Sequence, residues 1–177
     1  MKLLIETGDA GLTLRKLADC SEMRLSNVQY YFKSRDDVLT AMVARYFEEC
    51  TATLLKLTEN SDAQTQRERL DFLIRSGLSH GQEISDMCRA FREIWAISSR
   101  DQTIDNCLME YYRNFGDVIA DFVFSNQLDE TARARFISLL VPYFEGYSIT
   151  ARCSPLNTDE VVEMLTQMAL ASIKADF

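Results

Sequence analysis

Five cations, Arg15, Lys16, Arg24, Lys33 and Arg35, stand against two carboxylates, Asp19 and Glu22, in the segment from Thr13 to Arg35. They are interleaved with Ser26, Asn27, Gln29, Tyr30 and Tyr31. One short stretch therefore holds both cations that pair with phosphate and neutral groups that donate or accept hydrogen bonds. Its surroundings have the opposite sign. Residues 1–45 carry seven Lys or Arg against six Asp or Glu, residues 46–177 carry twelve against twenty-one, and the whole chain stands at −8. A basic segment on an acidic body is the pattern of a small phosphate-touching head on a larger domain with another task, although a charged run also serves as a plain solvated face.

Elsewhere the residues that do chemistry are sparse. A single histidine, His80, leaves no His-containing metal cluster and no general base of the usual type, so the sequence reads as a protein without metal or cofactor, and not an enzyme. Cys20, Cys50, Cys88, Cys107 and Cys153 are odd in number and form no C-x-x-C pair; they are expected to be reduced, mostly buried small hydrophobes. For Cys88 or Cys107 to act as a nucleophile, a base would have to stand nearby, and the sequence places none there. No uncharged run, Phe136–Phe144 included, approaches the roughly 20 apolar residues of a membrane span. The N-terminus lacks a signal peptide's long apolar run and cleavage site. The expectation is a soluble, cytoplasmic protein without a membrane partner.

The elements that must position the basic segment are helices. A chain of 177 residues, 47% hydrophobic and 26% charged, has one-domain size, and six Gly with two Pro are too few for the hairpins of a sandwich or barrel. The fold class is all-α. Met1–Glu6 reads as the tail of a helix broken by Gly8 and Gly11. Thr13 is an N-cap for a short helix reaching Ser21, with Leu14, Leu17 and Ala18 on one side. After a turn at Glu22 and Met23, a second short helix runs from about Arg24 to Tyr31. It points Leu25, Val28 and Phe32 inward and Ser26, Asn27, Gln29 and Tyr30 outward. Two short helices across a tight turn make a helix-turn-helix candidate. Ser34-Arg35-Asp36-Asp37 then forms an approximate capping box and opens a long helix that ends near Glu59 and Asn60.

Five amphipathic helices follow by the 3.6-residue period. The first carries Leu70, Leu73, Ile74 and Leu78 and ends near Gly81. The second carries Ile84, Met87, Cys88, Phe91 and Trp95, and the third runs from Ile104 to Phe122. The fourth spans roughly Asp129 to Arg152 and the fifth begins at Thr158. The last two are apolar over a wide arc, from Phe136 to Tyr147 and from Val161 to Ile173. Such an arc serves either core packing or a second face for a partner subunit.

The run Leu12-Thr13-Leu14-Arg15-Lys16-Leu17-Ala18, continued by Met23 to Leu39 through Val28-Gln29-Tyr30-Tyr31-Phe32-Lys33-Ser34, resembles the DNA-binding head of the tetracycline-repressor (TetR) family of bacterial regulators. That family's pattern is a T-x-R-x-I-A helix, a short turn, an L-Y-x-x-F recognition helix and an S-K-E-x-L helix start. Beyond Leu39 the likeness is one of architecture, a helical body of the expected length. Glu22 replaces the pattern's turn glycine and Gln29 its first recognition-helix tyrosine. The family's first helix and basic arm would fall mostly before Met1.

The resemblance implies a helix-turn-helix DNA-binding domain in residues 1–50 and an effector-binding and dimerisation domain in residues 51–177. Recognition helices turn exposed side chains to base edges in the major groove. Asn27 and Gln29 can each pair with adenine N6 and N7, Arg24 can fork onto guanine, and Ser26 permits close approach. Tyr30 and Tyr31 are expected on phosphates through their hydroxyls, with Tyr31 alternatively part of the core. Thr13, Arg15, Lys33 and Arg35 would set register on the backbone. In the body, Met87, Phe91, Trp95, Tyr111, Phe115, Phe122 and Tyr143 either line an apolar effector cavity or fill an ordinary core. Glu93, Glu110 and Asp117 would meet a cationic ligand if they face inward. The implied function is a ligand-responsive regulator, a repressor, that binds a palindromic double-stranded operator as a homodimer through its last two helices and is released by a small-molecule effector. The alternative is a helical ligand-binding or protein-interaction domain without DNA-binding activity.

Overall fold

With so few glycines and prolines to interrupt it, the chain folds into long helices. A computed structural model describes residues 1–82 and 85–174, side chains 80–82 excepted. Among the described residues there are nine α-helices and no strand: α1 (Lys2–Gly11), α2 (Leu14–Cys20), α3 (Leu25–Tyr31), α4 (Arg35–Glu59), α5 (Gln66–Gln82), α6 (Asp86–Ser98), α7 (Gln102–Phe124), α8 (Glu130–Thr150) and α9 (Thr158–Ser172), with a 3₁₀ turn over Ala151–Cys153. This is the expected all-α architecture. Ile84, expected at the start of the second body helix, and the side chain of His80 lie outside the described residues. None of these helices is long and apolar enough to cross a membrane.

The chain divides into two compact units: Met1–Ala52 with Asp86–Tyr111, and Thr53–Ser85 with the chain from Tyr112 on. Helices α4 and α7 contribute residues to both. In the first unit, Leu4, Leu12, Val28, Leu39 and Val43 from the N-terminal helices are buried, as are Ile94 and Ile104. Helix α1 packs on α6. It is interrupted at Gly8, whose φ of 66° lies in the left-handed region that glycine adopts without steric penalty, and it ends at Gly11, so both glycines break the helix as expected.

In the second unit α5, α8 and α9 pack on one another. Their core includes Leu70, Ile74, Phe124, Phe136, Leu140 and Leu165. Gly77 lets α5 approach α8: a Cβ there would lie 2.8 Å from the Phe144 ring. Start signals are explicit. Asp129 caps α8 by accepting from the Ala132 N–H, and Asn157 and Glu160 form a reciprocal capping box on α9. Most of the apolar arc of the last two helices is used internally, since Phe136, Leu140, Tyr147, Val161 and Leu165 are buried within this unit. Ile149, Leu156 and Met168 remain exposed.

The cysteines depart from the expected burial. None of the five joins a disulfide, but only Cys88 is buried; Cys50 and Cys107 are half-buried, and Cys20 and Cys153 are exposed. Cys20 ends a helix whose apolar side is completed by Leu14, Leu17 and Ala18, so its place on the outer face follows from helical spacing.

Candidate nucleic-acid interface

Thr13 starts α2 as a side-chain cap, its hydroxyl accepting from the Lys16 N–H at 3.2 Å. The helix closes into a turn in which the Met23 N–H donates to the Ala18 carbonyl at 2.9 Å. Glu22 lies inside that turn with φ 53°, a left-handed conformation that costs a side-chain-bearing residue about 1–2 kcal/mol. Arg24 occupies the N-cap of α3, and its side chain is exposed rather than bonded to the helix end. After Phe32 the chain is re-started by Ser34 and Asp37. The Ser34 hydroxyl accepts from the Asp37 N–H, and the Asp37 carboxylate accepts from the N–H groups of Lys33 and Ser34, each at 3.0 Å.

On α3 the inward and outward faces fall as the sequence pattern expects. Val28 is buried and Leu25 and Phe32 are half-buried, while Ser26, Asn27, Gln29 and Tyr30 are exposed. Tyr31 is also outward, 70% exposed, which removes the alternative of a core role. The Tyr30 and Tyr31 rings meet edge to face with centroids 5.2 Å apart. Lys33 donates from Nζ to the Tyr30 carbonyl at 3.2 Å and lies 5.9 Å from the Tyr30 ring centre, so ring and ammonium are presented together. Thr13, Arg15 and Lys33 are exposed. Arg35 is different. Its guanidinium is ion-paired with Asp9 and Asp36 and donates to the backbone carbonyls of Leu12 and Asp9 at 3.2 and 2.9 Å.

The expected effector residues are distributed over the two compact units. Met87, Phe91, Trp95 and Tyr111 belong to the first unit, and Phe115, Phe122 and Tyr143 to the second. In the first, the Phe91 ring lies 5.4 Å from Tyr111 and 6.3 Å from Trp95, and Tyr111 stacks on Phe47 at 4.5 Å. In the second, Phe122 borders an open groove of about 310 Å³ with Leu55, Thr58, Glu59, Val118 and Asp121. Spacing along the sequence gives no sign of this groove, because its walls come from helices some sixty residues apart.

Of the three carboxylates singled out, Glu110 and Asp117 are exposed, with Asp117 held by Arg133 at 3.0 Å, and Glu93 is half-buried. Glu145, to which the sequence did not point, is half-buried as well. Burial pushes it up to about 7, opposed by a hydrogen bond from the Tyr112 hydroxyl. Among the described residues no three His, Cys, Asp or Glu side chains gather as a metal site.

No family model matches the chain. Over 174 residues, 98% of this chain and 86% of the relative, it is 43% identical to an uncharacterised HTH-type transcriptional regulator in the dhlA 5′ region of Xanthobacter autotrophicus. Over 143 residues, 80% of this chain and 66% of the relative, it is 22% identical to the probable HTH-type transcriptional regulator YttP of Bacillus subtilis strain 168.

Proposed function

The chain belongs to the HTH-type transcriptional regulators, and from that premise we propose a ligand-responsive repressor of the tetracycline-repressor type, working in the cytoplasm on a palindromic operator. The observation that carries this reading is the outward face of α3, where Ser26, Asn27, Gln29 and Tyr30 are exposed around a buried Val28. Asn27 and Gln29 read adenine edges, Arg24 reads guanine and Ser26 allows approach. Thr13, Arg15, Tyr30, Tyr31 and Lys33 fix the helix on phosphates. Arg35 borders the same face with its guanidinium turned onto Asp9.

Residues 1–50 form the DNA-reading part and residues 51–177 take the effector and the second copy. Two-fold pairing uses the exposed apolar residues of the C-terminal helices, Ile149 and Met168 among them. The aromatic groups around Phe91, Trp95 and Tyr111, and those at Phe115, Phe122 and Tyr143, are the effector surfaces. Coupling runs along α4, which is unbroken from Arg35 to Glu59. A ligand shifts DNA affinity only through its different affinity for the two head arrangements.

The experiment is selection of duplexes from a randomised pool. The expected product is a two-fold symmetric site with half-sites about 34–36 Å apart, or a multiple of that spacing. An asymmetric site or none overturns the dimeric reading. For the effector, Trp95 fluorescence supplies the readout: a compound that quenches it must bind less tightly when the selected duplex is saturating, by the factor that it weakens the duplex in return. Equal affinity with and without DNA separates the compound from control of the head.

A further inference from the structure

We propose that Asp9 is a positioning residue for the DNA-reading helices, acting as one carboxylate clamped by two arginines, Arg35 and Arg100. The inference rests on the assignment of α3 to DNA. Three chain ends converge on this carboxylate. Asp9 lies in the last turn of α1, Arg35 is the first residue of α4, and Arg100 follows the end of α6. Arg100 donates from Nη2 to Asp9 Oδ2 at 2.8 Å and from Nη1 to the Ala96 carbonyl at 2.7 Å, so one guanidinium ties the C-terminal turn of α6 to Asp9. Arg35 pairs with Asp9 Oδ1 and also holds the Asp9 and Leu12 carbonyls, closing over the link between α1 and α2.

Isolated surface ion pairs contribute little. This one differs because three groups share it, three backbone carbonyls complete it, and the Asp9 side chain is only 23% exposed. The backbone is shaped for it. Gly8 takes φ 66° immediately before Asp9, and a Cβ at Gly8 would stand 3.6 Å from the Glu93 carboxylate on α6, so the left-handed turn sits where α1 passes α6. Without the Asp9 carboxylate, Arg100 would lose its link to α1, Arg35 would keep only Asp36 and the two backbone carbonyls, and the hold of α4 and α6 on the α1–α2 link would weaken. Helices α2 and α3 are seven residues each, too short to hold a shape alone. Their presentation to DNA therefore depends on such anchors.

The test uses the full chain, a duplex that the wild type selects from a random pool, and a scrambled duplex of equal length. Asp9→Asn removes a negative charge, raising the net charge by one, and Arg100→Ala removes a positive charge, lowering it by one. An effect of net charge on DNA must drive the two variants in opposite directions. The clamp drives them the same way: each weakens the selected duplex roughly three- to tenfold, and the double variant is no more than about twofold weaker than the worse single one. Affinity for the scrambled duplex follows net charge instead. Arg100 is exposed, and its variant is expected to fold; if Asp9→Asn does not, Asp9→Glu, which keeps the charge and displaces it, replaces it with the same expected direction. Opposite directions on the selected duplex, or additive losses, overturn the proposal. If the wild type selects no duplex, the assignment of α3 fails, and amide exchange still decides the clamp: Arg100→Ala must speed exchange over residues 14–31, and unchanged exchange overturns it.

Discussion

Helices α2 and α3 differ from α8 and α9 in what constrains each side chain. The short pair buries Ala18 and Val28, half-buries Leu14, Leu17 and Leu25, and leaves the rest in solvent. The long pair buries ten residues between them, Phe136, Leu140, Val161 and Leu165 among these. An exposed position tolerates almost any residue, so an amide or cation there is open to a task outside the fold as well as to plain solvation. A buried position admits only what packs. The same apolar letter then serves a core or a partner face, and only coordinates separate the two.

The largest expected effect is in the long pair. Phe136 is fully buried and meets Phe124 edge to face at 5.0 Å. Phe136→Ala should cost roughly 3–5 kcal/mol in denaturant unfolding. A loss under about 1 kcal/mol would mean that α8 is not the core element described above. Leu165 and Tyr147 are buried in the same core, so a Glu at either tests folding and not assembly.

Next comes Glu145. Its folded-state value of about 7 lies above the ordinary 4.5, so the protonated form is favoured in the folded chain. The stability this gives is fully present below about pH 4.5 and is lost as pH rises through 7. Glu145→Gln should therefore be more stable than wild type above pH 7, by up to about 3 kcal/mol, with the difference vanishing towards pH 4.5. A constant difference across that range would assign the effect to packing.

A smaller gain is expected in the head. Glu22→Gly relieves a left-handed residue and should stabilise by about 1 kcal/mol, whereas Glu22→Ala, which removes the charge and keeps the strain, should not. Equal stability of the two variants would remove strain as the reason. Smallest is Met168→Glu, at an exposed site: stability should stay within about 0.5 kcal/mol, while sedimentation shifts from the proposed dimer towards monomer. An unchanged sedimentation coefficient places the pairing surface elsewhere.

These contrasts also explain what the sequence revealed. Thr13, Ser34-Arg35-Asp36-Asp37 and Asn157-Thr158-Asp159-Glu160 announce helix starts because capping is local chemistry. The outward set on α3 was legible because seven residues need only one inward ridge. The role of Arg35 was not, since its partner Asp9 lies 26 residues away and charge alone cannot choose between a phosphate and a carboxylate. The expected effector set rests on aromatic residue types, and helical spacing does not tell that Phe91 meets Trp95 and Tyr111 while Phe122 borders an open groove. Glu145 is not legible in the sequence, because a glutamate four residues from Val141 and two from Tyr143 reads as a solvated position until burial is known.

In the proposed function the outward face of α3 reads bases while its flanks hold phosphates. Duplex affinities measured against salt for Asn27→Ala, Gln29→Ala, Arg15→Ala and Lys33→Ala, on the selected and scrambled sequences, test it most directly. The first two variants should lose roughly 1–3 kcal/mol on the selected duplex alone, with the salt slope unchanged. The last two should weaken both duplexes and reduce the slope by about one unit each. If Asn27→Ala and Gln29→Ala weakened both duplexes equally, α3 would not be the reading element.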